Sequence, residues 1–258
     1  MMATEWAGVA PADQSGGTAT SHTIMVDGLS TLLDALPADA SHDAYRSAAI
    51  DDNILLKDAE GARKRSFRYL RELYALDPTH LLFRALRDLW PLDREAQPLL
   101  AGLCALARDP AFRSTTATIL NSSPGDEITS EDLELAVEEQ FPGNYNAGTR
   151  NKIGRNSSSS WEQTGHLRAV SRYEKVRSRA AARPASLAYA LLLGHLEGAR
   201  GQLLFDTFWA QVLDHPRGHL VDMAAVASQQ GLLEFRNSGG VIEVGFRELL
   251  RPMEGQLL

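Results

Sequence analysis

Cysteine, long apolar runs, clustered histidine and glycine-rich loops are all scarce in this sequence. The only cysteine of the 258 residues, Cys104, sits in the run LLAGLCALA, so no disulfide can close within the chain and no thiolate metal cluster can form. It reads as a small buried hydrophobe, which suits a reducing cytoplasm. The most apolar stretch, Leu187 to Leu196, is interrupted by His195 and falls well short of the roughly 20 residues needed to cross a bilayer. No membrane partner is expected. Histidines stand singly, and the one helical spacing, His215 with His219, encloses Pro216 and Gly218, which spoil the helix a metal pair requires. The glycines of GARGQ and NSGG lack the flanking strand and helix of a phosphate-cradling loop. No acid, base and nucleophile recur at convergent spacings, so neither a catalytic centre nor a cofactor is expected.

What is present is the material of a soluble, mainly α-helical protein. Hydrophobic residues make up 44% and charged residues 23%, which is ordinary for one large or two modest domains. Residues 1–26 are rich in Gly, Ser, Thr and Ala, lack the basic start and apolar centre of a secretion signal, and are expected to form a flexible leader. Residues 27–126 read as a helical bundle. Helical patterns run from Leu29 to Leu36, from a Ser41 or Asp43 cap to Ile50, from Asp58 to Leu76, from Thr79 to Trp90, from Gln97 to Arg108 and from Asp109 or Pro110 to Leu120. Trp90, Leu99, Leu100, Leu103 and Leu106 are core positions. The Asp58 to Leu76 helix sets an apolar stripe of Phe67, Leu70, Leu73 and Tyr74 against a basic face of Arg63, Lys64, Arg65, Arg68 and Arg71, relieved by Glu60 and Glu72. That face is either a solvated surface or a hold on a phosphate backbone.

Residues 127–183 carry the chemistry. Thr129 or Ser130 can cap a first helix that places Leu133, Val137 and Phe141 on one side, and Pro142 and Gly143 end it. A second helix starts near Thr149, with Ile153, Gly154 and Trp161 inward. On its other side Thr149, Arg150, Asn151, Lys152, Arg155 and Asn156, with Ser157, Ser158 and two further serines, offer donors suited to phosphate oxygens and base edges. Gly165 ends that helix, and a short strand from His166 to Val170 gives the start of a winged-helix arrangement whose wing is not evident. The chain is acidic overall at −7, yet Asn144 to Arg183 holds nine Lys or Arg, among them Arg168 and Arg172, against Glu162 and Glu174. A local basic stripe in an acidic protein can steer a polyanion. The part from Arg172 to Pro184 reads as a helix lying along a phosphate backbone or as a mobile connector.

Residues 184–258 give apolar helices between Ala185 and Leu213, a helix from Leu220 to Gln230, and strands LLEFR and VIEVGF across an Asn237 to Gly240 turn. This could be the second half of another winged-helix unit, but the helix as bounded has no Arg or Lys, so packing or a protein partner is the better expectation. The expected fold is thus mainly α: a helical bundle, one or two helix-turn-helix units of winged type, and a small C-terminal β-hairpin.

From Asp43 to Leu167 the chain resembles the BrxA family, small components of BREX bacteriophage-exclusion systems. The resemblance is carried by TSEDLELAVEEQF followed by GTRNKIGRNSSSSWEQTGHL, by Asp52-Asn53-Ile54-Leu55 before the basic helix Ala62 to Leu73, and by the run Leu81 to Leu106. It implies a helical protein with winged-helix parts that binds double-stranded DNA without enzymatic activity, beside a methyltransferase and other defence proteins. Two other functions stay open: an adaptor docking a larger defence enzyme, and a transcriptional regulator, which needs a dimer to read paired half-sites.

Overall fold

The computed structural model describes residues 9–10, 14–172 and 174–251. Five helices build the N-terminal bundle: α1 (Val26–Ala35), α2 (His42–Ile50), α3 (Glu60–Tyr74), α4 (Leu81–Leu89) and α5 (Gln97–Arg108). Every residue of α5 from Leu99 to Ala107 is buried, because α5 packs against α3, α4 and a C-terminal helix. Cys104 lies in this interior, where burial pushes its thiol up to about 11 and leaves it inert.

The helix expected from residue 109 or 110 to Leu120 is two short ones, α6 (Pro110–Arg113) and α7 (Thr116–Leu120). Between them the hydroxyls of Ser114 and Thr115 donate to the carbonyls of Ala111 and Phe112 at 2.8 and 2.7 Å, so side chains compete for groups a continuous helix would use. Next come α8 (Ser130–Gln140), α9 (Ala147–Gln163), and the antiparallel strands β1 (Leu167–Ala169) and β2 (Lys175–Arg177). The C-terminal part has α10 (Pro184–Leu196), a 3-10 turn over Gly201–Asp206, α11 (Phe208–Val212), α12 (Arg217–Gln229), and strands β3 (Glu234–Ser238) and β4 (Val241–Gly245). Ser238 pairs with Val241 around Gly239 and Gly240, at φ 58° and 85°, as a two-residue hairpin turn demands. Among the described residues no helix is long and apolar enough to cross a membrane.

Three expectations change. The described part of the leader is fastened down rather than loose. Ile24 is buried, its N–H donates to Ser160 Oγ at 3.1 Å, and the Val26 N–H donates to Gln163 Oε1 at 3.0 Å. Residues 1–8 and 11–13 of the leader lie outside the described residues. The basic connector is neither a helix nor free: Lys175 to Arg177 is the partner strand of β1 that sequence patterning missed. Finally, α12 begins at Arg217, with Pro216 as its N-cap, so Gly218 and His219 sit inside the helix and the first turn has a cation. Proline just before or at the start of a helix costs nothing, since the N–H it lacks would have no helical partner. The His215 and His219 rings consequently approach to 4.8 Å.

Asp109 explains why the leader stays in place. Its carboxylate accepts from the N–H groups of Ala19 at 2.7 Å and Phe112 at 2.9 Å while 2% exposed. Burial outweighs these hydrogen bonds and raises its pKa to about 6. A carboxyl with a raised folded pKa stabilises the fold below the unfolded value of 3.8 and loses that contribution as pH rises through about 6. The shift amounts to about 3 kcal/mol. Urea denaturation of the wild type and Asp109→Asn at pH 7 and pH 4 should therefore show the wild type gaining about that much relative to the variant on acidification. A difference that does not move with pH would show that Asp109 does not titrate in this range.

Candidate nucleic-acid interface

The central unit is built from local rules. Thr129 caps α8 in a reciprocal capping box: its Oγ1 accepts from Asp132 N–H at 3.2 Å, and its own N–H donates to Asp132 Oδ2 at 2.8 Å. Gly143, at φ 72°, turns the chain, and Asn146 caps α9 by accepting from Thr149 N–H at 2.9 Å. The two helices meet through Leu133, Val137 and Ile153, all fully buried. Gly154 permits the approach, because a Cβ there would strike the Ser130 carbonyl and Glu134. Ahead of α8, residues 125–128 run beside β2. Arg177 N–H donates to the Asp126 carbonyl at 2.7 Å, and Ile128 N–H to the Lys175 carbonyl at 3.0 Å. A bridge between Glu127 and Val176 completes a small three-stranded edge.

Helical periodicity divides the expected site residues of α9. Lys152 and Arg155 are exposed on one ridge with Ser159, and Lys175 of β2 reaches that ridge, 3.4 Å from Ser159 Oγ and 2.9 Å from Glu162. Neither Lys152 nor Arg155 has a carboxylate within ion-pair distance among the described residues. The other residues are occupied. Arg150 donates to Glu138 Oε2 at 2.9 Å and to the Tyr145 carbonyl at 2.8 Å, and Asn151 donates to Glu134 Oε1 at 2.8 Å. Asn156 holds the Ala19 carbonyl at 2.8 Å. Ser157 and Ser158 are buried at 0% and 7% exposure, so their hydroxyls do not reach a ligand. Thr149 is half-buried in the first turn.

Of the remaining stripe, Arg168 is exposed and shares a strand face with its partner Val176, the opposite face from Lys175. Arg172 is exposed in the β1–β2 turn and has a partner within the protein. Arg177 is interior, paired with Asp214 at 2.9 Å with its side chain 1% exposed. Arg179 lies 4.0 Å from the same Asp214, and Arg183 binds Asp93 at 2.8 Å and Glu95 at 3.3 Å. A stripe of nine cations in sequence is thus a much smaller free surface in space.

On α3 the pattern is similar. Arg63 donates to the Ile50 and Lys57 carbonyls at 3.2 and 3.3 Å, tying down the preceding loop. Lys64 pairs with Glu60 at 2.6 Å, and Arg68 lies 3.7 Å from Glu72 and over the Tyr69 ring. Arg65 is exposed. The turn Thr18–Thr20 links this helix to α9: Thr18 donates to Glu72 at 3.2 Å, the His22 ring meets Tyr69 at 5.5 Å, and Ala19 is held by Asn156. Exposed cations of α3 and α9 therefore flank one segment of chain. Lys175 is the cation sequence reasoning did not assign to the site; its signal was alternation with Arg177 along a strand that was read as a connector. No family model and no curated protein matches this chain.

Proposed function

We propose that this protein is a non-enzymatic, cytoplasmic double-stranded DNA-binding component of a prokaryotic anti-phage system of the BREX type, as the resemblance implies. One observation carries the DNA-binding reading: a helix, turn and helix are followed by an antiparallel strand pair whose outer edge is completed by residues 125–128. A winged-helix unit, whose second helix enters the major groove, follows the same order, and that likeness supports the reading. The cations on or beside its second helix support it: Lys152 and Arg155, without an ion pair among the described residues, on the ridge of α9, Arg168 on the hairpin, and Lys175, paired with Glu162, alongside. Arg65 and its neighbours on α3 would extend the footprint across the Thr18–Thr20 turn.

A specific observation favours a protein partner for the C-terminal part. There α10, the chain around Gly201 lying under the Ile242 carbonyl, α11, α12 and the β3–β4 hairpin repeat the same order. Yet Arg217 of α12 pairs with Asp206 at 3.2 Å, and the helix otherwise exposes Gly218, His219, Asp222, Val226 and Gln229. Such a surface suits a defence protein, the methyltransferase included, better than a polyanion.

The test is an electrophoretic shift titration of duplex DNA, single-stranded DNA and RNA at several salt concentrations. Contact with about three to five phosphates gives a slope of log affinity against log salt between about −3 and −5 on duplex. A flat response, or equal affinity for all three nucleic acids, overturns the assignment. Capture of a defence enzyme without any DNA shift would establish the adaptor instead.

A further inference from the structure

His215 and His219, which sequence spacing set aside as a metal pair, are brought together by the fold. Their ring centroids lie 4.8 Å apart, with the planes tilted by 33°. Two imidazoles bound to one zinc ion at about 2.0–2.1 Å, with about 100° between the bonds, have centroids about 5 Å apart, so the observed spacing suits a shared ion. The frame around the pair is fixed. Asp214 holds φ 58°, a left-handed value uncommon outside glycine, and its carboxylate is anchored 2.9 Å from the interior Arg177. The chain then enters His215, and Pro216 opens α12, its carbonyl accepting from the Leu220 N–H at 3.2 Å. His219 therefore stands one turn beyond His215 on the same stripe.

A ligating histidine must be neutral and oriented. One ring nitrogen of His215 donates to the Ala180 carbonyl, which fixes the ring and leaves the lone pair on the other nitrogen. Burial, then the neighbouring His219 and Arg179, lower the pKa of His215, so the ring is uncharged at pH 7. His219 is exposed, so a solvated ion can reach the pair. The surrounding charges offset one another. Arg179 lies 4.0 Å from Asp214 and Arg217 3.2 Å from Asp206, while Asp222, exposed and one further turn along the His219 stripe, has no ion pair among the described residues. Asp222 counters the positive end of the α12 dipole, which by itself would weaken a bound cation about fivefold.

We propose that His215 and His219 together bind one divalent transition-metal ion of the kind imidazole prefers, such as zinc. Among the described residues no cluster of three or more His, Cys, Asp or Glu is placed to hold a metal, so water fills the remaining positions and the site is open rather than a closed structural one. The inference does not depend on nucleic-acid binding, since neither histidine is on the α9 ridge or on α3.

The untagged full chain, freed of metal by a chelator and dialysis, is titrated with zinc chloride by isothermal titration calorimetry. One zinc per chain should bind in the micromolar range. Copper(II) should bind more tightly than zinc, whereas magnesium and calcium, which take oxygen ligands, should not bind. His215→Ala and His219→Ala should each weaken zinc about a hundredfold, because a lone imidazole loses the second, intramolecular contact. His219 is exposed and alanine favours a helix, so that variant keeps the fold. His80→Ala, at another exposed histidine, should bind zinc as the wild type does. No heat of binding at millimolar zinc overturns the proposal, and so does zinc binding that survives His219→Ala or is lost equally in His80→Ala. If His215→Ala fails to fold, the His219→Ala titration decides.

Discussion

Replacing Arg177 by alanine is expected to lower the stability of the protein by about 3–5 kcal/mol, the range for removing one partner of a buried ion pair. The guanidinium joins three segments. Its Nε–H donates to the Ile119 carbonyl at 2.7 Å, Nη1 to the carbonyls of His166 at 3.2 Å and of Ser178, and Nη2 lies 2.9 Å from Asp214. Apart from Ser178, the next residue in the chain, those partners belong to the end of α7, the turn between α9 and β1, and the turn between α11 and α12. Loss of the side chain leaves the carbonyls without this donor and Asp214 without its charge partner. Arg177→Lys should recover only part of the loss, because an ammonium is a point charge that cannot span the arc the planar fork covers. The measurement is the urea midpoint with its slope, which separates lost stability from a change in the unfolded state. A cost under about 1 kcal/mol would mean that the fork does not lock these segments together.

The second large effect concerns the proposed DNA surface. Reversing both charges on the α9 ridge, Lys152→Glu with Arg155→Glu, should reduce duplex affinity about a hundredfold near 0.1 M salt, since two phosphate contacts are lost and two repulsions added. Both side chains are exposed, so the thermal midpoint should stay close to that of the wild type. An equal change of net charge elsewhere, Arg94→Glu with Arg236→Glu, serves as the control. It should alter affinity by no more than about threefold at that salt, because the Debye length is then about 10 Å. If the control and the ridge variant weaken binding alike, the effect is one of net charge, and α9 is not the contact.

His166 shows how pH acts against Asp109. Burial depresses its pKa to about 4, while its Nε2 bonds the Val212 carbonyl at 2.8 Å. A histidine held neutral in this way stabilises the fold above its unfolded value of 6.5 and loses that contribution as pH falls through about 4. The two buried groups therefore pull the stability curve in opposite directions between about pH 4 and about pH 6. This is why the Asp109 comparison needs a variant beside the wild type.

Much of the architecture was legible because it rests on local rules. The stripe on α3, the run from Gln97 to Arg108, the Thr129 cap, the Gly143 turn and the glycines of the last hairpin each act within a few residues. The site was legible only in outline. Arg150 and Lys152 are two residues apart on one helix, and only the neighbouring α8, with Glu138 beside Arg150, makes one a structural tie and leaves the other free. Strand β2 was missed because three residues carry too little alternation to outweigh a basic, alanine-rich setting.

By itself the sequence determined most of the helices, the Thr129 cap and the final hairpin, since hydrophobic period and turn chemistry are encoded over short spans. Only the tertiary structure decided which positive charges remain available. Ion pairing joins residues distant along the chain, as Arg177 is to Asp214 and Arg183 to Asp93, and no count of charges along a chain can anticipate which carboxylate folding will bring alongside.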